Sequence, residues 1–275
     1  MRKQPDRRPC RRWIGAVLLA VLCGMALYLG GRRIARREPE EDTIPNDVFA
    51  VQGRVEDDTV EAMMLKIVCL TFDDGPSPNT APILDILKQK DVPATFFVTA
   101  QDVNQDYLPE LQRVVQEGHQ VALHSASHRY ADIYADTESF WLDIKALRQA
   151  ISPYVEVENI HWLRFPGGST NTVSHKYGGS DIMKRLISQC EEKGYEWIDW
   201  NVSAEDATSS HPDAAQILEN VRTGAEGRDL CVVLMHDTAR TDATVEALPE
   251  MIDWFVSEGY HFCTVEQMYE ARDGG

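Results

Sequence analysis

Short apolar runs alternate with amphipathic helical patterns from about residue 65 to residue 270. The runs that predict buried strands are 65–70, 94–99, 120–123, 160–163, 195–201, 230–235 and 261–265. The segments that predict helices are 78–91, 107–117, 136–151, 180–193, 212–223 and 243–257. Strands that alternate with helices predict an α/β fold with a parallel sheet. About seven such repeats favour a barrel over an open sheet.

The amino-terminal part of the chain has a different pattern. Residues 13–31 are uncharged, with six basic residues before them and four directly after. A helix of this length spans about 28 Å, close to the thickness of a membrane core. We expect an uncleaved signal anchor. A cleaved signal peptide is the alternative, although Gly24-Met25-Ala26 is a weak cleavage site.

These features divide the chain into four predicted segments. Residues 1–12 are predicted to form a basic cytoplasmic head and residues 13–31 a transmembrane anchor. Residues 32–63 form an acidic linker with Pro39 and Pro45, and residues 64–275 form the globular domain. The expected location is the cell membrane, crossed once, with the globular domain outside the cell.

The charge of the chain limits its partners. The formal net charge is −17, and residues 38–275 carry 17 Lys and Arg against 43 Asp and Glu. Such a surface repels nucleic acid and anionic lipid, so neither is an expected partner of the globular part. We expect a monomer.

Four cysteines lie in the predicted globular part, without the C-x-x-C spacing of metal sites: Cys69, Cys190, Cys231 and Cys263. We expect small buried apolar side chains. An extracellular location would permit a disulfide, but spacing along the chain does not establish which pair would form it.

The first predicted strand ends at Asp73-Asp74-Gly75-Pro76. Neighbouring residues on an extended segment point in opposite directions, so the two carboxylates can have separate roles, one toward a metal and one toward a substrate water. A solvated Asp-Gly turn is the simpler alternative. The residues after the other strands decide between these interpretations.

His124 and His128 follow the third predicted strand with four-residue spacing. In a helical turn, that spacing places both imidazoles on one face, where they can bind one divalent ion. A carboxylate from the first strand would complete a two-histidine, one-carboxylate site. A pair of histidines that binds no metal is the alternative.

Polar side chains also follow later strands. His236 ends the sixth strand and is the best candidate for a general acid, while Asp237 could orient its ring or cap the next segment. After the fourth strand, Arg164 can keep a carboxylate ionised, and the following glycines let backbone N–H groups approach an oxyanion. The segment 200–207 is ambiguous, since Trp200 could belong to the core.

These five segments, in this order, resemble the polysaccharide deacetylase family, also called the NodB-homology domain or carbohydrate esterase family 4. Thr71-Phe72-Asp73-Asp74-Gly75-Pro76-Ser77 and His124-Ser125-Ala126-Ser127-His128 carry the resemblance, which covers about residues 65–270. It is strongest to membrane-anchored peptidoglycan deacetylases of Gram-positive bacteria. The resemblance implies an irregular (β/α)7-type barrel and one divalent metal, commonly zinc, with cobalt, nickel or manganese as alternatives.

The resemblance also implies a role for individual residues. Asp74, His124 and His128 would bind the metal. Asp73 would be the general base. The remaining catalytic residues would be Arg164, which orients the base, His236, which protonates the leaving amine, and Asp206, which tunes these groups. The substrate-binding residues would be Leu234 in the acetyl pocket together with Pro166, Gly167 and Trp200.

The chain departs from the family at two positions. The family often has a tyrosine where this chain has Gly167, which keeps the backbone N–H of the expected oxyanion hole but lacks a ring that contacts sugar. The family often has a tryptophan after the aspartate of the fourth block, where this chain has Ala207.

The implied reaction is hydrolysis of the N-acetyl group of N-acetylglucosamine-type residues in a cell-wall polysaccharide, with peptidoglycan as the first choice. Deacetylation of chitin or poly-N-acetylglucosamine and hydrolysis of O-acetyl esters, as in xylan, use the same site. A glycan-binding scaffold without turnover is the non-enzymatic alternative.

Overall fold

The computed structural model of the protein describes residues 66–273. The predicted head, anchor and linker lie outside the described residues, as does the predicted boundary at residue 63. Among the described helices, none is long and apolar enough to cross a membrane.

Eight strands form one sheet in which every pairing is parallel. The strands are β1 (Lys66–Asp73), β2 (Thr95–Thr99), β3 (Gln120–Ser125), β4 (Trp162–Leu163), β5 (Glu196–Trp197), β6 (Val202–Ser203), β7 (Leu230–His236) and β8 (Tyr260–Phe262). The spatial order is β5-β4-β3-β2-β1-β7-β6. Strand β8 pairs with the first half of β1, and β2 pairs with the second half.

Nine α-helices lie among the described residues. They are α1 (Thr80–Lys90), α2 (Glu110–Gln116), α3 (Tyr130–Ile133), α4 (Thr137–Ile151), α5 (His175–Gly178), α6 (Ile182–Lys193), α7 (Ala214–Ala225), α8 (Asp242–Ser257) and α9 (Val265–Asp273). Short 3₁₀ helices cover Asp102–Tyr107 and Val157–Asn159. The architecture is a half-barrel of parallel strands, consistent with a (β/α)7 barrel. The predicted α/β class is thus confirmed.

Alternation along the strands produces two apolar layers. Val68, Leu70 and Phe72 of β1 pack with the buried faces of the surrounding helices. Cys69 belongs to a smaller cluster on the other face of the sheet, which also contains Phe97, Trp162 and residues of α9. Because side chains alternate between faces with a period of two, Thr71 and Asp73 continue the Cys69 face. The polar end of β1 therefore lies on the inner face of the half-barrel.

The structure differs from the predicted elements at three places. The predicted strand 195–201 is two short strands, β5 and β6, which lie at opposite ends of the sheet and are connected by residues 198–201. The predicted helix 107–117 is a 3₁₀ turn followed by the shorter α2. The predicted last strand, 261–265, ends at Phe262, and α9 follows it.

Helix α9 contributes Val265 and Met268 to the inner apolar cluster. The backbone N–H of Val265 donates to Oγ1 of Thr95, at the start of β2, over 3.0 Å. The helix therefore covers the amino-terminal end of the strands, opposite the end that carries the charged residues. The spacing of Val265, Met268 and Tyr269 is the sequence signal for this helix.

The four described cysteines are free thiols, three of them buried as expected. Cys69 on β1 and Cys263 after β8 come close, with 3.6 Å between their Sγ atoms.

Candidate functional site

The carboxyl ends of β1, β3, β4 and β7 bring the polar segments together. Asp73 lies beside His236 in the register of β1 with β7, and beside Phe97 in the register with β2. Arg164 follows β4, and its backbone N–H donates to the carbonyl of Leu123 on β3. Parallel strands end at the same edge of a sheet, so residues separated by 163 positions in sequence meet at one rim.

The two adjacent aspartates have different partners. Oδ1 of Asp73 accepts a hydrogen bond from Arg164 at 2.8 Å, whereas Oδ1 of Asp74 lies 3.6 Å from Nε2 of His124 and 3.4 Å from Nε2 of His128. The carboxylates diverge because Asp74 has a φ of 71°, in the left-handed region. The two carboxylates were expected to diverge because the segment is extended, but the left-handed turn at Asp74 is the cause.

Buried polar side chains stabilise this turn. Nδ2 of Asn104 donates to the carbonyls of Asp74 and Pro76, and Oγ1 of Thr99 donates to the carbonyl of Asp74. Asn104 is 2% exposed. Neither residue was identified from the sequence, because each acts on backbone atoms of a distant loop.

The structure brings Asp74, His124 and His128 together as a possible metal site, with one ligand atom from each lying within 4.8 Å of the others. Oδ1 of Asp74 is buried and has no hydrogen-bond partner among the described residues. Nδ1 of His124 lies 2.8 Å from the carbonyl of Arg164, which holds the ring proton on Nδ1 and leaves the lone pair of Nε2 toward Asp74. An orphaned carboxylate oxygen beside two imidazoles fits a divalent cation.

The histidines do not share a helical turn, so the four-residue spacing brings them together in a different way from the helical geometry considered above. His124 lies in β3, and His128 has a φ of 52° in the loop that follows. The ring centroids are 5.2 Å apart. Burial lowers the pKa of His124, while the charges of Asp73 and Asp74 act in the opposite direction.

Asp143 of α4 holds the loop between the two histidines, a role that the sequence did not indicate. Its carboxylate accepts hydrogen bonds from the Ser125 hydroxyl at 2.7 Å and from the backbone N–H groups of Ala126 and Ser127 at 2.8 and 3.0 Å. Oγ of Ser125 in turn accepts from the N–H of His128 at 2.8 Å. The position of His128 thus depends on Asp143.

Arg164 is fully buried. Its Nη1 donates to Asp73 and to Oγ1 of Thr71, both at 2.8 Å, while Nε and Nη2 donate to the carbonyls of Ile198 and Asp199. Its guanidinium carbon lies 4.1 Å from the centroid of the Phe97 ring. A buried charge with this many partners keeps Asp73 fixed beside the inner wall.

His236 is paired with Asp206. Its Nδ1 lies 2.8 Å from Oδ1 of Asp206, and its backbone N–H donates to Oδ2 over 2.7 Å. Burial alone would lower the pKa of His236, but the hydrogen bond and charge of Asp206, aided by the charges of Asp73 and Asp74, raise it to about 9. The ring is therefore protonated at neutral pH, with Nε2 available to donate.

Asp237 has neither of the roles considered for it. It accepts hydrogen bonds from the hydroxyls of Ser77 at 2.5 Å and Thr80 at 2.6 Å, which connects β7 to the loop after β1. Burial raises the pKa of Asp237 to about 6. Its carboxylate lies so close to Gly75 that a Cβ at that position would overlap with Oδ2.

The expected substrate-binding residues lie around the same rim. The carbonyl of Pro166 accepts from the Tyr134 hydroxyl at 2.8 Å, and Gly167 has a φ of 78°. The Trp200 ring packs against Gly168 and lies 5.6 Å from the guanidinium carbon of Arg164. Leu234 is two residues before His236 on β7, so both side chains face the inner wall.

Comparisons with known proteins agree with this site. Residues 62–180 match the family model described as polysaccharide deacetylase. The chain is 38% identical to the catalytic domain of peptidoglycan N-acetylglucosamine deacetylase from Eubacterium rectale, with a TM-score of 0.68, over 73% of this chain and 88% of that one.

Two curated relatives differ in the share of their own length that aligns. A peptidoglycan-N-acetylglucosamine deacetylase of Bacillus cereus is 30% identical over 74% of this chain and 88% of its own length. A bifunctional xylanase/deacetylase of Pseudobutyrivibrio xylanivorans is 32% identical over 75% of this chain but only 31% of its own length. On these matches, the chain belongs to the polysaccharide deacetylase family.

Proposed function

We propose that the protein is a metal-dependent hydrolase that removes the N-acetyl group from N-acetylglucosamine-type residues of peptidoglycan, releasing acetate and leaving a free amine. The observation that carries this proposal is the orphaned Asp74 oxygen facing His124 and His128, within one rim that also holds Asp73 and a protonated His236. This rim contains a cation site, a base and an acid, which are the groups that amide hydrolysis requires.

Asp74, His124 and His128 would hold the cation. Two imidazoles and one carboxylate suit zinc, and cobalt, nickel or manganese can bind the same donors. When bound, the cation would lower the pKa of a water toward neutrality and polarise the acetyl carbonyl.

Asp73 would act as the general base that takes a proton from the attacking water. The partners of Arg164 support this role, because one Nη1 hydrogen bond occupies Oδ1 of Asp73 and orients the carboxylate. Oδ2 of Asp73 lies 3.8 Å from Nε2 of His124 and accepts no hydrogen bond from the described residues. This oxygen is thus available to accept a proton.

His236 would act as the general acid that donates a proton to the leaving nitrogen. An amide resists hydrolysis partly because its amine is a poor leaving group, so the nitrogen must be protonated as the carbon–nitrogen bond breaks. Asp206 supports this role because it holds Nδ1 and keeps the ring charged. Together, the two proton transfers convert amide and water into acetate and amine.

Relatives support the choice of substrate. The Eubacterium and Bacillus proteins are both named for peptidoglycan N-acetylglucosamine. The name of the xylanase/deacetylase keeps O-acetyl ester hydrolysis as a second candidate. Gly167, Pro166, Trp200 and Leu234 would contact the sugar and its acetyl group.

We also propose that the enzyme is held at the cell membrane by residues 13–31, with its catalytic domain outside the cell and acting as a monomer. The uncharged stretch between basic flanks supports the anchor. A cell-wall polysaccharide would then be within reach of the site.

The test is to incubate the purified full-length protein, loaded with zinc, with intact peptidoglycan, N-acetylglucosamine oligomers and acetylated xylan. Acetate is measured together with free amine, and the products are identified by mass spectrometry. We expect acetate and amine in equal amounts from peptidoglycan. Acetate from xylan alone would indicate the esterase. Zinc binding without acetate from any polymer would indicate a scaffold.

A further inference from the structure

Tyr130 lies beside the metal site but has no role in the mechanism described above. It begins α3, two residues after His128. Its ring packs edge-on against His128, with centroids 5.6 Å apart, and against Tyr134, with centroids 5.5 Å apart. Tyr134 is itself buried and hydrogen-bonded to Pro166. Tyr130 therefore bridges the histidine loop and the loop that follows β4.

The Tyr130 hydroxyl lies directly over Gly167. A Cβ built on Gly167 would be 2.5 Å from this oxygen, closer than real Cβ atoms approach another heavy atom. The hydroxyl makes no hydrogen bond with any described residue, although the ring is half-buried. The backbone N–H of Gly167 likewise donates to none of the described residues. Two unused donors thus lie side by side at the rim.

This contact and the φ of 78° at position 167 both favour glycine there. The family often has a tyrosine there, whose side chain would begin where the Tyr130 hydroxyl lies. The two arrangements exclude each other, because any side chain at 167 would displace Tyr130. The hydroxyl that this chain presents at the rim comes instead from α3.

We propose that the Tyr130 hydroxyl donates a hydrogen bond to the acetyl oxygen of the substrate, next to the N–H of Gly167. As water attacks the carbonyl carbon, negative charge develops on this oxygen, and a second fixed donor lowers the barrier. The packing of the ring against His128 and Tyr134 holds the hydroxyl in place before substrate binds. Tyr130 is then a catalytic residue in its own right. This inference rests on the proposed N-deacetylase function.

The test compares Tyr130→Phe with wild type on a soluble N-acetylglucosamine oligomer, using zinc-loaded full-length protein. The variant removes one oxygen atom and keeps the ring contacts. We expect kcat to fall about 100-fold or more with KM unchanged, because the contact strengthens only as charge develops. Zinc content should equal that of wild type. Tyr177→Phe, at an exposed position of α5, serves as the control and should keep wild-type kinetics.

The possible outcomes separate the inference from the proposed function. If wild type is active and Tyr130→Phe keeps the wild-type kcat, the inference is wrong and the function stands. A rise in KM with unchanged kcat also overturns it, since the hydroxyl would then contact only the bound sugar. Loss of zinc from Tyr130→Phe would assign the residue to the metal loop instead. If wild type releases no acetate from any acetylated sugar, the proposed function itself fails.

Discussion

Replacing Asp206 with asparagine should lower the pKa of His236 and weaken its action as an acid at alkaline pH. A hydrogen bond of 2.8 Å joins Nδ1 of His236 to Oδ1 of Asp206. The charge of Asp206 raises the pKa of His236, whereas burial of the ring lowers it. Asparagine keeps the shape and one acceptor oxygen but removes the charge. Burial, the largest influence on this ring, would then act with less opposition and lower its pKa.

The magnitude follows from the two pKa values. A rise from 6.5 to about 9 corresponds to roughly 3 kcal/mol in favour of the protonated ring. At pH 8, a ring with a pKa near 9 is about 90% protonated, whereas one at or below 6.5 is about 3% protonated or less. Loss of the proton alone should therefore reduce kcat/KM about 30-fold at that pH.

The assay is an NMR titration of the His236 ring in the metal-free protein, assigned with a His236→Gln variant, followed by a pH profile of kcat/KM. Wild type should titrate near pH 9, and Asp206→Asn at a clearly lower pH. Thr244→Val, which removes only a hydroxyl that donates to Asp206 at 2.8 Å, should change the pKa of His236 far less. An unchanged His236 pKa in Asp206→Asn would show that the Asp206 charge does not keep the ring protonated.

The interaction of His236 with Asp206 should also make the free energy of unfolding depend on pH. The folded-state pKa of His236 lies above its ordinary value, so the protonated ring stabilises the metal-free fold below pH 6.5. This contribution should be lost as the pH rises through about 9.

Two further substitutions test how the loops are held. Asp143→Asn weakens three hydrogen bonds to the segment 125–127. The affinity for zinc, measured by calorimetry, should fall about 10- to 100-fold. Circular dichroism should show that the variant is still folded. Wild-type affinity would show that the loop keeps its shape without this charge. Gly75→Ala places a methyl group against Asp237 and should cost about 1–3 kcal/mol of unfolding free energy in urea, a penalty that an added Asp237→Ala change should reduce. An unchanged urea midpoint would contradict this.

The apolar runs of the sequence were sufficient to predict the longer strands of the sheet. Strands such as β1, β2 and β7 are continuous apolar runs, and the structure reproduces them within a few residues. The segment 195–201 was misassigned because strands β5 and β6 have only two residues each, too few for periodicity to show where one ends. The positions of these two strands depend on their pairing with strands that are distant in sequence. The local sequence pattern does not indicate that pairing.

The position of the candidate site was predictable, but its supporting residues were not. Charged residues at strand ends pointed to Asp73, Asp74, His124 and His236, because parallel strands end at one rim. Asp143, Asn104 and Tyr130 act across distances in sequence that no local motif spans. The divergence of the two aspartates was expected for the wrong reason, since the left-handed turn at Asp74 depends on contacts with β2 and the segment after it.

In the proposed hydrolytic site, Asp73 and Asp74 are adjacent in sequence but would perform different functions. The most direct measurement is to determine zinc content and acetate release on the same preparations of Asp73→Asn, Asp74→Asn and wild type, with peptidoglycan as substrate. We predict that Asp74→Asn loses zinc and activity together, while Asp73→Asn retains zinc and loses turnover. Wild-type acetate release by Asp73→Asn would contradict the account.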